Sequence, residues 1–290
     1  MIEDPGMHMK GGIITQKNKD YCTIRTRMPA GILSIEKMRG IAEIAEKYGQ
    51  TEVHLTTRQT IEIPHIHYTK LEEIEADLLK NGTPVGSERD EIVNIVACPG
   101  TNRCKFANID TISLAMKLDE KLFGKEMPIK LRISISGCPY ACTSPILNEI
   151  GITGRKKPHR TPGLCTGCGH CAEFCRESAI EVKNGAAVVI DGKCFQCGVC
   201  IESCPFKLID VETQGYRITV GGRRGRHPKL GRELGRELVE VETEEEVVEI
   251  IEKLSYWIYR RAWSGRLLSD QLDDIQFEKF KEEILSNRKE

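Results

Sequence analysis

Polar and apolar residues alternate along "YCTIRTR" at residues 21–27, the two-residue period of a strand with one buried face. The period then lengthens, and Ile35, Met38, Ile41, Ile44 and Tyr48 fall on one helical stripe that stops at Gly49. Two short β-rich runs follow, "TEVHLTT" and "TIEIP", the second ended by Pro64. Thr69 and Glu72 have the spacing of a capping box, which predicts a helix carrying Leu71, Ile74 and Leu78 and closing near Asn81-Gly82. "EIVNIVA" predicts the next strand. The order β-α-β-β-α-β is the split βαβ pattern of a ferredoxin-like α/β sandwich.

A second α/β segment comes next. It has a helix from about 106 to 123, the strand "IKLRISIS", a cysteine-bearing turn and the strand "EIGITG". "RKKPHRTPG" is basic and Pro-rich and reads as a linker into an inserted segment of roughly 157–212. Beyond it "GYRITVGG" resumes a strand. Val247, Val248, Ile251, Leu254 and Ile258 then mark the core face of a helix near 244–263.

At 290 residues the chain can hold one large domain or two to three small ones. A net charge of −1 with 29% charged residues gives no reason to expect nucleic acid or an anionic membrane as partner. No apolar run approaches the roughly 20 residues that span a bilayer. "MIEDPGMHMKGG" lacks the pattern of an export signal, so a cytoplasmic location is expected, where thiols stay reduced.

That expectation argues against disulfides among the 13 cysteines and leaves their spacing to decide which are ligands. Cys22 is alone on a strand and fits a small core side chain. The other twelve are grouped. "CTGCGHCAEFC" and "CFQCGVCIESCP" repeat C-x2-C-x2-C-x3-C, with Gly167, Gly169 and Gly198 allowing a tight wrap. In such runs the fourth cysteine ligates the other cluster. One [4Fe–4S] is therefore expected on Cys165, Cys168, Cys171 and Cys204, and another on Cys194, Cys197, Cys200 and Cys175. Structural zinc modules instead present separated cysteine pairs. Arg176 stands where the second run has Pro205, which can alter packing but not ligation. Cys98, Cys104, Cys138 and Cys142 form a third set, whose chemistry admits zinc or a cubane; the ferredoxin-type neighbours favour iron–sulfur.

"ACPGTNRCK" and "SGCPYACT" resemble the C-x5-C and C-x3-C signature of the sirohaem-containing sulfite and nitrite reductases, and "LTTRQTIEIP" resembles a further segment of that family. A ferredoxin insertion after the second cysteine pair is similar to the dissimilatory subunits and to the small anaerobic relatives. The likeness covers about 20–285. It implies an α+β fold: a ferredoxin-like half domain at 1–90, a sirohaem and [4Fe–4S] domain at 91–156 and 213–290, and an inserted 2[4Fe–4S] ferredoxin module at 157–212.

The resemblance further implies that Cys142 bridges the third cluster to sirohaem iron. It gives Arg27 in "RTRMPAG" and Lys130 and Arg132 in "KLR" to the anion, and Arg58 in "TTRQT" to sirohaem carboxylates, with Arg223, Arg224 and Arg226 in "GGRRGRHP" as further candidates. Arg25 shares a strand face with Arg27, and solvated strand charge is the plain alternative for both pairs. The histidines His54, His65 and His67 fit structural roles at strand ends. Val93 departs from the family, which has arginine there, so a cationic contact is missing and Val93→Arg is expected to raise turnover. Six-electron reduction of sulfite to sulfide is the implied activity, with three [4Fe–4S] clusters per chain. Nitrite reduction to ammonia, or a non-catalytic sirohaem electron-transfer role, are the alternatives. A ferredoxin or flavin-type donor, and a homodimer or larger homo-oligomer completing the pocket of a one-repeat chain, are the implied partners.

Overall fold

A computed structural model describes residues 11–161, 163, 165–223 and 234–286. The described residues fall into two compact units, one within 1–97, 115–133 and 251–290 and the other within 98–114 and 134–250.

The first unit begins with β1 (Ile13–Thr15), β2 (Tyr21–Arg25), α1 (Ile35–Lys47), β3 (His54–Leu55), β4 (Ile61–His67), α2 (Leu71–Lys80) and β5 (Val96–Ala97). Its antiparallel sheet has the order β1-β2-β4-β3. The apolar stripes of the sequence meet in one core: Cys22, Ile24, Ile61, Ile63 and Ile66 from the strands, Ile41, Ile44, Ile74 and Leu78 from the helices. Each fully buried isoleucine or leucine contributes roughly 1.5–3 kcal/mol through burial. Cys22 is one of these core side chains. Burial pushes its thiol up to about 11, with Glu75 adding to the rise, and the thiol donates to the Ile66 carbonyl at 3.4 Å.

Three local details differ from the sequence reading. β4 does not end at Pro64 but runs through it to His67. The β2–β4 register shifts between Cys22 and Ile24, so the proline, which has no N–H to give, lies in a bulge beside His65 with φ 56°. Thr69 and Glu72 do not form a capping box. Instead His67 Nδ1 accepts the Thr69 N–H at 3.3 Å and starts the turn ahead of α2. The run 91–97 forms strand only at Val96–Ala97. His54 pairs with Glu62 at 2.9 Å and His65 with Gln16 at 3.1 Å, so all three histidines have structural partners.

The remaining elements are α3 (Gly100–Arg103), α4 (Thr111–Leu122), β6 (Ile133–Ser136), β7 (Ile150–Arg160), α5 (His170–Glu173), β8 (Ile180–Lys183), β9 (Ala186–Val189), α6 (Val199–Ser203), β10 (Ile209–Val220), β11 (Arg236–Val241), α7 (Glu244–Arg261), α8 (Leu268–Asp273) and α9 (Phe277–Leu285). Strands of the second unit follow the order β11-β10-β7-β6. The stretch read as a linker, 155–160, is strand. It continues β7 against β10 as far as Arg160↔Ile209. Pro158 faces Val211 beside a register shift, where a missing N–H costs the ladder least. Between these strands, the β8–β9 hairpin, α5 and α6 pack Cys171, Ile180, Ala187, Cys200, Ile201, Cys204 and Ile209 into a small core.

Candidate functional site

Cys98 is fixed by its backbone. Its N–H donates to the Ile135 carbonyl at 3.1 Å, and its carbonyl accepts the Thr111 hydroxyl at 2.5 Å. The chain then turns through Gly100, at φ +60°, where a Cβ would sit 2.5 Å from Thr111 Oγ1; only glycine fits, and Cys104 N–H closes the turn onto the Gly100 carbonyl at 2.9 Å. Cys138 and Cys142 leave the end of β6 in a turn pinned to that strand. Thr143 Oγ1 donates to the Ile135 carbonyl and the Ser134 hydroxyl to the Thr143 carbonyl, both at 2.9 Å. The Gly137 N–H points at Cys98 Sγ, 3.0 Å away.

These two loops bring all four thiols together. Burial pushes the Cys138 thiol up to about 11; the Tyr140 N–H opposes this, and Cys142, Cys98 and Cys104 add to the rise. Cys98 and Cys138 are buried, Cys104 is half-buried and Cys142 is exposed.

The repeated cysteine runs surround two further cavities. Cys165, Cys168, Cys171 and Cys204 line one, with Gly167, Gly169 and Pro205. Cys175, Cys194, Cys197 and Cys200 line the other, with Gly198 and Arg176. The two halves match in detail. Gly169 and Gly198, at φ +78° and +75°, start α5 and α6, and at Gly198 a Cβ would press on the Lys156 side chain at 2.8 Å. Four residues beyond the fourth cysteine of each run a backbone N–H meets its sulfur: Ala179 to Cys175 at 3.2 Å and Leu208 to Cys204 at 3.3 Å. Such N–H···S bonds stabilise thiolate ligands. Thiols arranged around a cavity, with amides aimed at the sulfurs, fit a multi-iron group. Among the described residues no three His, Cys, Asp or Glu side chains are arranged to hold one metal ion.

Four of the basic candidates, Arg27, Arg58, Lys130 and Arg132, belong to the first unit. Arg25, Arg58 and Arg132 all act on Lys130. Burial first, then these three guanidinium groups, lower the Lys130 ammonium to about 8, outweighing Asp90 and a Glu88 oxygen 2.5 Å from Nζ. Arg25 also holds Glu62 and Glu88. Arg58 donates to the Asn94 carbonyl at 2.6 Å, and Asn94 returns a bond to the Arg58 carbonyl at 2.9 Å. Arg27 has other partners. It pairs with buried Asp119 and lies 4.4 Å over the Phe123 ring. Val93 is 2% exposed and donates its N–H to Leu131, between Lys130 and Arg132. Arg25 and Glu88, which the motifs did not assign, are thus part of the Lys130 surroundings; only the shared strand face of Arg25 and Arg27 hinted at the first. Arg223 is half-buried, while Arg224 and Arg226 lie outside the described residues.

Comparison with known proteins gives two family matches. Residues 88–290 match the nitrite and sulphite reductase 4Fe-4S domain and residues 14–81 the nitrite/sulfite reductase ferredoxin-like half domain. The chain is 34% identical over 278 residues to an uncharacterized protein of Methanocaldococcus jannaschii, covering 96% of this chain and 95% of that one. It is 33% identical over 276 residues to the coenzyme F420-dependent sulfite reductase of the same organism, covering 94% of this chain and 44% of that protein. It is 32% identical over 189 residues to one subunit of the anaerobic sulfite reductase of Salmonella typhimurium, covering 59% of this chain and 56% of that protein. The chain therefore spans about half the length of these named sulfite reductases. Among solved structures, dissimilatory sulfite reductase I superposes with a TM-score of 0.75 over 93% of this chain and 70% of that one, at 19% identity, a likeness of fold. The α+β fold with its ferredoxin-like half domain and 4Fe-4S domain is the one expected from the motifs. No helix among the described residues is long and apolar enough to cross a membrane.

Proposed function

The chain belongs to the nitrite and sulphite reductase family, and from that membership we propose that it reduces sulfite to sulfide. The observation that carries this reading is the convergence of Cys98, Cys104, Cys138 and Cys142 within the matched 4Fe-4S domain. The family implies sirohaem and [4Fe–4S] as cofactors. Our finer proposal is three clusters per chain: one on those four thiols, one on Cys165, Cys168, Cys171 and Cys204, one on Cys194, Cys197, Cys200 and Cys175. The last two sets make up an inserted ferredoxin module at 157–212, within a chain divided at 1–90, 91–156 and 213–290. Cys142, the exposed thiol of its set, is the residue we assign to the sirohaem side, with Arg58 and Arg223 for its carboxylates.

Sirohaem coupled to a cubane supplies a route by which six electrons reach one bound anion without release of partly reduced products. The chain's own residues hold the anion and deliver protons. Lys130 and Arg132, in the field of Arg25 and Arg58, supply positive charge for a dianion. Lys130, lowered to about 8, can give up a proton near neutral pH and recover it, which Arg132 cannot. Arg27 serves the anion only by exchanging Asp119 for it. A ferredoxin or flavin-type protein is the donor in this reading, at least two chains assemble, and the location is cytoplasmic.

Reduced-viologen kinetics of the iron-loaded protein with sulfite, nitrite and neither tests the function. Sulfite turnover to sulfide supports it. Preferential ammonia formation from nitrite replaces it with the nitrite reading, and inactivity toward both despite full loading leaves an electron-transfer role.

A further inference from the structure

Tyr140 stands between Cys138 and Cys142, two thiols of the third set, yet its hydroxyl reaches outside that set. It donates to Cys197 Sγ at 3.8 Å, a hydrogen-bonding distance for sulfur. The ring is held in this pose by Arg176, whose guanidinium carbon is 5.0 Å from the ring centroid, and by Phe106, edge-on at 6.0 Å. Cys197 itself is held. Gln196 accepts the Lys156 N–H at 2.7 Å through its carbonyl and the Arg155 guanidinium at 3.3 Å through its side chain.

A second link runs in parallel. Asn108, buried, donates its backbone N–H to the Gly137 carbonyl at 2.6 Å and its side-chain amide to the Cys197 carbonyl at 3.3 Å, while Gln214 donates to the Asn108 carbonyl at 2.6 Å. Gly137 precedes Cys138. One side chain and one bridging asparagine thus tie the Cys138–Cys142 turn to the Cys194–Cys200 loop.

We propose that Tyr140 is a positioning residue that couples these two thiol sets: its hydroxyl sets the reduction potential of the cluster on Cys175, Cys194, Cys197 and Cys200 and makes that cluster the neighbour through which the Cys98/Cys104/Cys138/Cys142 set is filled. This rests on the cofactor reading above. A hydroxyl donor to a ligand sulfur stabilises the more negative, reduced state, so it raises the potential of that cluster. An electron passing between the sets leaves one and arrives on the other, the tyrosine stays a phenol, and no bond or proton changes place. The other repeat set, with Cys168 exposed, takes the outer position toward a donor.

The test is an EPR-monitored redox titration of the iron-loaded wild type and Tyr140→Phe. The variant should keep its full iron count and show one [4Fe–4S] signal moved to more negative potential, the others unchanged, with slower filling of the third cluster after rapid reduction. Unchanged potentials in a fully loaded Tyr140→Phe overturn the inference. If that variant loses iron, wild-type protein made with ring-deuterated tyrosine decides. Deuterium modulation on the EPR signal of one cluster supports the contact, and its absence overturns it. Failure of the cofactor reading is distinguishable, because the wild type itself would then lack three cluster signals.

Discussion

The guanidinium of Arg27 grips the carboxylate of Asp119, Nε to Oδ2 at 3.0 Å, across 92 residues of sequence. Asp119 is only 2% exposed in its side chain, and burial raises its pKa even though Arg27 pulls it down. Removing Arg27 leaves a buried carboxylate without its counter-ion. Because Arg27 is a third exposed, the penalty for a buried pair is discounted: Arg27→Ala should cost ~2 kcal/mol of unfolding free energy. Denaturant titration checks it. If Arg27→Ala is as stable as wild type but loses sulfite affinity, the anion, not Asp119, is its working partner.

Lys130 gives a pH prediction with a definite sign. Its proton leaves near pH 8 in the fold and near 10.5 when unfolded, so between those values the unfolded chain binds more protons. The Lys130 contribution to stability therefore rises with pH through that window, and the full cost of its buried charge is present below about 8. Turnover should run the other way, declining above pH 8 as the proton is lost. Lys130→Arg should lower kcat and flatten that alkaline limb; a limb unchanged in the variant assigns it to another group.

The crossed cysteine pairing predicts which cluster each variant loses. Cys204→Ser should perturb the cluster of Cys165, Cys168 and Cys171, and Cys175→Ser that of Cys194, Cys197 and Cys200. Wild type should contain about twelve cubane irons and one sirohaem iron, from three clusters of four. Iron and acid-labile sulfide assays with EPR should show a different signal altered in each variant. The same signal altered in both would refute the crossing.

Val93→Arg looks like a restoration from sequence alone and is not one in this structure. The position is 2% exposed, and its N–H is tied to Leu131, flanked by Lys130 and Arg132. Another cation there is desolvated and adds to the field that already lowers Lys130. We expect a loss of ~3 kcal/mol in stability and an alkaline limb moved to lower pH, with no gain in sulfite turnover. Thermal unfolding and a pH profile together test this.

What the sequence revealed followed from strong local signals. Stripes such as Ile41, Ile44, Ile74 and Leu78 announced the first core, and the cysteine spacing announced which thiols would share a cavity. Tertiary partners decided what it hid. Pro64 stays in a strand because a bulge removes the need for its N–H, and 155–160 is strand because β10 is there to pair with it. His67 takes the capping place expected of Thr69, its ring accepting the Thr69 N–H. Arg27 matched an anion-binding motif, but no local pattern shows that Asp119 waits 92 residues away.

The long β7–β10 ribbon has a practical consequence. The two strands stay paired from the body of their sheet out to Arg160 and Ile209, with one register shift between Val211 and Thr213, so the cysteine-rich segment between them is carried on a paired double stem. An engineer transplanting it should cut at the base of that stem, not near 157 and 212, where the ladder would be severed. A graft with the whole ribbon keeps the alignment, and a loop-tethered one should wander.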